Sequence, residues 1–132
     1  MHSGGLVKTW FQCSIVYRPS VRSRPSKAAI SGELLAGLQA RHPSVGTVRS
    51  IGLFGVFELV RSRETMLPMA PFNTSSPELA ALDYQLRTDG LYTMFHWNQV
   101  FTNPPLCITE EQLREGFAII DKALDATDAA IA

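Results

Sequence analysis

A chain of 132 residues with 45% hydrophobic and 18% charged side chains has the composition of one ordinary globular domain. Its twelve basic residues balance twelve acidic ones, so net charge points to neither nucleic acid nor a membrane surface as partner. No run reaches the ~18 apolar residues of a membrane helix, and Leu6-Val7 runs directly into Lys8 instead of forming a secretory signal, so the cytoplasm is the expected location.

The first part of the chain is the odd one. Lys8, Arg18, Arg22, Arg24 and Lys27 precede Glu33 without a single acidic residue between them. Trp10 to Tyr17 is rich in aromatic and β-branched residues and predicts a short strand. Arg18 to Lys27 reads as an irregular, solvated basic segment. Such an arm could touch phosphate backbones, but no aromatic residues are interleaved with its charges, and a disordered tail is the expectation. Cys13 and Cys107 match no metal or redox spacing and read as free thiols.

Ala28 to Arg41 predicts a helix with Leu34, Leu35 and Leu38 as its stripe, ended by His42-Pro43 and a turn over Pro43 to Gly46. Val48 to Val60 predicts one long strand, or two strands bent at Gly52 or Gly55, and its near-continuous apolar run suggests cover on both faces. Gly46, Gly52 and Gly55 fit neither a dinucleotide nor a P-loop pattern, so close packing accounts for them better than a phosphate cradle. Arg61 to Ser76 reads as a loop. Pro77 then opens a second helix with Ser76 before it, Leu79, Leu82 and Leu86 along it, and Gly90 closing it. Leu91 to Trp97 and Val100 to Thr102 predict an antiparallel pair turning at Asn98-Gln99.

Asn103-Pro104-Pro105 ends that element, because two prolines remove two backbone donors. Thr109-Glu110-Glu111-Gln112 is a capping box with its acids in the first turn, where the helix dipole favours them. Leu113, Phe117, Ile120 and Leu124 follow at helical spacing. The order helix, strand, helix, hairpin, helix gives an α+β fold: a small, largely antiparallel sheet with helices packed on one side.

No catalytic constellation emerges from the residues themselves. His2, His42 and His96 are scattered without carboxylate or cysteine spacing for zinc, so no metal site is expected. Glu110 and Glu111 are accounted for by capping.

The stretch Asn103 to Leu124 resembles the C-terminal end of class III aminotransferases, the pyridoxal-phosphate enzymes that include the omega-amino-acid and taurine transaminases. His42 to Val60 is similar to that family's strand leading into its small domain, and Gly90 to Asn98 resembles the taurine and beta-alanine branch. The resemblance covers residues 32–132, which it assigns to the C-terminal small domain of a fold-type I enzyme. Residues 1–31 are a divergent basic segment, of the kind a truncated, fused or frame-shifted gene start would produce. Family members use a Schiff-base lysine in the large domain, and none of Lys8, Lys27 and Lys122 matches it. The resemblance therefore implies pyridoxal phosphate in the parent family, and neither bound cofactor nor catalysis in this chain alone. Where members commonly carry a carboxylate-binding arginine, this strand has Met94, Phe95 and His96. The candidate substrate-binding residues are then His96, Trp97 and Asn98, with no catalytic residue assigned.

Two functions stay open. The chain is the C-terminal piece of a transaminase acting on an omega-amino acid or taurine and a 2-oxo acid, or it is a stand-alone interaction or regulatory module. The expected partner is the missing large domain or a second copy, a dimer. Strand faces rich in Leu53, Phe54, Val56 and Phe57 and in Tyr92, Met94, Phe95 and Trp97 motivate that expectation.

Overall fold

The computed structural model describes Lys8–Thr9 and residues 25–131. The strand expected over Trp10 to Tyr17, and Cys13, lie outside the described residues. The elements run β1 (Lys8–Thr9), α1 (Pro25–Arg41), β2 (Val45–Ile51), β3 (Phe54–Ser62), β4 (Leu67–Pro68), α2 (Pro77–Thr88), β5 (Leu91–Tyr92), β6 (Phe95–His96), β7 (Gln99–Thr102), α3 (Glu110–Ala123) and α4 (Asp125–Ala129). An antiparallel path β2-β3-β7-β6, with β4 added to β3, forms the main sheet, while β1 pairs in parallel with β5. This is the expected α+β class.

Strand β3 is the middle of the sheet. Phe57 faces Val48 of β2 on one edge and Val100 of β7 on the other. Gly55, Phe57 and Leu59 are buried toward the helices, while Val56 and Glu58 are half-buried and Phe54 is 45% exposed. From Phe54 to Glu58 the helices thus cover one face of the strand, because alternation sends every second residue to the other side, while Val60 beyond them is buried as well. Gly52, at φ 60°, makes the tight β2–β3 connection. At Gly55 a Cβ would lie 2.7 Å from Leu35 Cδ1 and closer still to Thr102 Oγ1, so α1 and β7 can meet β3 there only because the side chain is missing. Close packing is the role of that glycine.

Helix α1 begins at Pro25, three residues before the expected start, since proline's fixed φ and missing donor suit a first helical position. Residues 25–31 are accordingly helical and not irregular. Leu35 and Leu38 are fully buried, with Leu34 packed at the margin. The segment expected as a loop over Arg61 to Ser76 begins inside β3 and contains β4. Ser76 caps α2 by accepting from the Leu79 amide at 3.3 Å, and Leu79, Leu82 and Leu86 are buried. Arg61 grips both oxygens of Glu78 at 3.1 Å, tying the start of α2 to β3. That hydrogen bond from Arg61, helped by the backbone amide of Glu78 and by Ser76, lowers the Glu78 carboxyl to about 2.

The hairpin departs from its expected register. Only Phe95–His96 pairs with β7, and the two-residue turn is Trp97-Asn98. Leu91-Tyr92 is drawn away to β1 instead. The turn moves back by one because Gln99 must sit opposite Glu58, while Asn98 is needed against β3, where its backbone oxygen accepts from the Leu59 amide at 2.8 Å.

Helix α3 carries the complete capping box, Gln112 N donating to Thr109 Oγ1 at 3.2 Å and Thr109 N to Gln112 Oε1 at 3.1 Å. Leu113, Phe117, Ile120 and Leu124 are buried as their spacing requires. Phe117→Ala is expected to cost roughly 3–5 kcal/mol and Thr109→Ala about 1 kcal/mol, measured by denaturant unfolding. Equal small effects would mean that α3 is not docked on the sheet.

Candidate functional site

A cleft of about 550 Å³ opens between α2 and the β5–β6 segment. Asp83 and Arg87 line it from α2, Thr74 and Ser75 from the preceding loop, and Met94 and Trp97 from the strand side. The position of Arg87 follows from helical spacing: it pairs with Asp83 one turn earlier at 2.9 Å. Its guanidinium also lies 4.0 Å over the Tyr92 ring and donates to the Tyr92 hydroxyl. Arg87 was not singled out by the strand pattern, because the cation comes from a helix across the cleft. Its readable signal was the Asp83–Arg87 spacing alone.

The three sequence-derived candidates take different places. Trp97 walls the cleft and packs against Phe72, ring centroids 4.5 Å apart. It does so at φ 43°, a backbone region rare for a bulky residue. His96 is exposed and stacks on Trp97 from outside, 4.1 Å between ring centroids. Asn98 is 7% exposed, and its amide donates to the Leu59 carbonyl at 3.1 Å. Asn98 therefore fixes the turn that presents Trp97, and His96 lies against the outer side of that ring. Arg49 pairs with Glu58 at 2.7 Å across the open sheet face, and Gln99 reaches the same carboxylate at 3.2 Å.

A second cluster forms far from this cleft. His42, 6% exposed at its side chain, places Nδ1 2.5 Å from Asp128 Oδ2 and Nε2 2.9 Å from Asp121 Oδ1. Burial opposes a charge on His42, but the hydrogen bonds and negative charge of Asp128 and Asp121 outweigh it and raise the pKa. Burial likewise opposes the charge on Asp121, and the hydrogen bonds from His42 and Arg41 overcome that and lower its pKa. The histidine read as one of three scattered along the chain is thus joined to carboxylates about eighty residues away. With both ring nitrogens facing carboxylates, the group is an ion-pair network.

Among known proteins, a taurine–pyruvate aminotransferase of Bilophila wadsworthia is 34% identical over 99 residues, covering 73% of this chain and 22% of that protein. An isoleucine 2-epimerase of Lentilactobacillus buchneri is 28% identical over 114 residues, covering 86% of this chain and 24% of that protein. The taurine:2-oxoglutarate aminotransferase of Bifidobacterium kashiwanohense, solved with PLP and glutamate, superimposes with a TM-score of 0.75 at 30% identity. That match covers 82% of this chain and 24% of the solved one. The chain has a class III, pyridoxal-phosphate aminotransferase-like C-terminal region. No protein-family model matches it, and it spans about a quarter of the length of the relatives it matches.

The described side chains of this aminotransferase-like region do not fit the cofactor. A Schiff-base lysine must face a cleft, whereas Lys122 is 72% exposed on α3 and pairs with Asp89 at 3.7 Å. Lys27 lies in the first turn of α1, and no lysine lines the cleft beside Trp97. Gly46 and Gly55 are filled over by Val60, Leu35 and Thr102, while Gly52 stands open in the β2–β3 connection. At the turn beside the cleft, Asn98→Ala is expected to cost about 1 kcal/mol, since the Leu59 carbonyl keeps its bond from Met69 N. His96→Ala should stay within about 0.5 kcal/mol of wild type. Chemical unfolding of the two variants distinguishes them, and a larger loss for His96→Ala would contradict its outside position.

Proposed function

We propose that this chain supplies the C-terminal small domain of a pyridoxal-phosphate-dependent transaminase. The whole enzyme moves an amino group from an omega-amino acid or taurine to a 2-oxo acid in the cytoplasm. The observation that carries this reading is the likeness to the B. kashiwanohense aminotransferase over a quarter of that protein's length, in a chain where no lysine lines the cleft beside Trp97. The Schiff-base lysine and the phosphate cradle then come from a large domain. This chain contributes a wall of the substrate site and is not catalytic alone.

Within that wall, Trp97 forms the apolar surface against the substrate, His96 backs it from outside, and Asn98 holds the turn in register. Arg87 supplies the positive charge on the same cleft, beside Met94. A helix-borne guanidinium there suits an anionic substrate end, although Asp83 already engages it and limits its reach.

A second reading, a stand-alone module that pairs with a copy of itself, draws on the side of the sheet without helices. Ile51 is 85% exposed there, and Phe54 stacks on Phe101 at 5.9 Å between centroids. Large apolar groups left in water on a sheet face favour association.

Two measurements on the purified full chain test these readings in turn. Incubation with pyridoxal phosphate and borohydride, followed by mass spectrometry, is expected to leave no stoichiometric adduct on any one lysine and no turnover of an amino donor with pyruvate. A specific adduct with turnover would overturn the division of labour proposed above. Light scattering of the same sample across a concentration series reports on the second reading, which requires the mass to rise toward a dimer.

A further inference from the structure

His42 stands where the end of α1 turns into β2, and both of its ring nitrogens face carboxylates of the C-terminal helices. A neutral imidazole has one N–H and one lone pair, while an ionised carboxylate only accepts. The neutral ring can therefore satisfy Asp128 or Asp121 but not both, and its unprotonated nitrogen would face an oxygen lone pair. Only the imidazolium donates to the two at once. We propose that the His42 imidazolium is a proton-operated latch, which fastens α4 and the end of α3 to the corner between α1 and β2 at neutral pH and slackens in alkaline solution.

The surroundings determine what the proton controls. From α1, Arg41 reaches Asp121 at 2.8 Å, so that carboxylate keeps a cation whatever His42 does. From the β3–β4 connection, Arg63 donates to the His42 carbonyl at 2.6 Å and fixes the backbone of the corner. On the end of α3, Lys122 turns away to Asp89. On α4, Asp125 brings a third carboxylate within 4.8 Å of the cluster. Among the described residues, the other donors to Asp128 are neutral, Ser44 N at 3.1 Å and Ser44 Oγ at 2.6 Å. Beside them Ser44 Oγ meets Thr127 Oγ1 at 2.8 Å. Loss of the His42 proton thus leaves α4 with two carboxylates near a neutral ring, held by hydroxyl and amide contacts alone.

The sign follows from the direction of the shift. A histidine whose folded pKa is raised stabilises fully below its ordinary value of about 6.5, and that contribution disappears as pH rises through the folded value. Asp121, with its pKa lowered, stabilises above the ordinary carboxylate range and is lost only in acid. The latch is therefore fully closed below about pH 6.5 and loosens as pH rises through the raised folded value.

Amide hydrogen exchange of the full chain, read by NMR and corrected for the intrinsic pH dependence of exchange, tests this between about pH 6 and about pH 10. Protection over Asp125–Ala129 relative to Leu82–Leu86 is expected to fall by about tenfold or more, as removal of a charged hydrogen bond implies. At neutral pH the His42 ring should carry two protonated nitrogens by nitrogen-15 shift. His42→Gln should remove the pH dependence; should that variant not fold, Asp128→Asn, which spares the imidazole, should flatten the same profile. A wild-type profile for α4 that tracks α2 throughout would overturn the proposal. So would a singly protonated ring at neutral pH, or variants that keep the wild-type profile.

Discussion

A strand hydrogen bonded on both edges cannot slip without breaking two ladders, and in this domain β3 is such a strand. Phe57 is locked between Val48 and Val100, so the assignment of residues to its two faces is fixed from Phe54 to Glu58. Gly55, Phe57 and Leu59 then form the floor on which α1, α2 and α3 share one core. The missing Cβ of Gly55 sets how near Leu35 and Thr102 can come. Much else depends on this constraint. The partner strand β7 fixes where the Trp97-Asn98 turn falls, Asn98 reads the Leu59 backbone, and Trp97 is presented to the cleft as a result.

The same alternation leaves the reverse face with Ile51, Phe54, Val56 and Phe101 at one end and the Arg49–Glu58–Gln99 group at the other. Such a face is half apolar and half neutralised charge, a composition suited to contact with another protein surface. The domain therefore joins two surfaces through one strand: the walled cleft reached by way of the turn, and the sheet face opposite the helices. The helices have a different task. They bury the floor, and their ends carry the ion pairs that tie distant parts of the chain together, Arg61 with Glu78 and His42 with Asp121 and Asp128.

What the sequence made legible was the local chemistry. Thr109 to Gln112 announced a capping box because its donors and acceptors lie three residues apart, and Leu113, Phe117, Ile120 and Leu124 announced their own face. Ser76-Pro77 marked the start of α2 for the same reason. The apolar run from Val48 to Val60 gave the strands but overstated their cover, since runs of hydrophobic residues do not reveal that one face lacks a neighbour. Pairing choices were hidden as well. Leu91-Tyr92 has the composition to continue the hairpin, yet its partner is β1, more than eighty residues upstream. The His42 cluster was illegible on similar grounds, because its members approach only after α3 and α4 fold back on α1. Of the candidate site, Trp97 kept a place on the cleft, while Arg87 came from an element that strand reasoning could not connect to it.

The most direct test of this account is a set of cross-strand nuclear Overhauser contacts around Phe57 in the full chain in solution. The fold requires Phe57 to show backbone contacts to Val48 on one side and Val100 on the other, with its ring against the helical core. A register displaced by one residue, turning Phe57 to the open face and Val56 inward, would contradict the account at its centre.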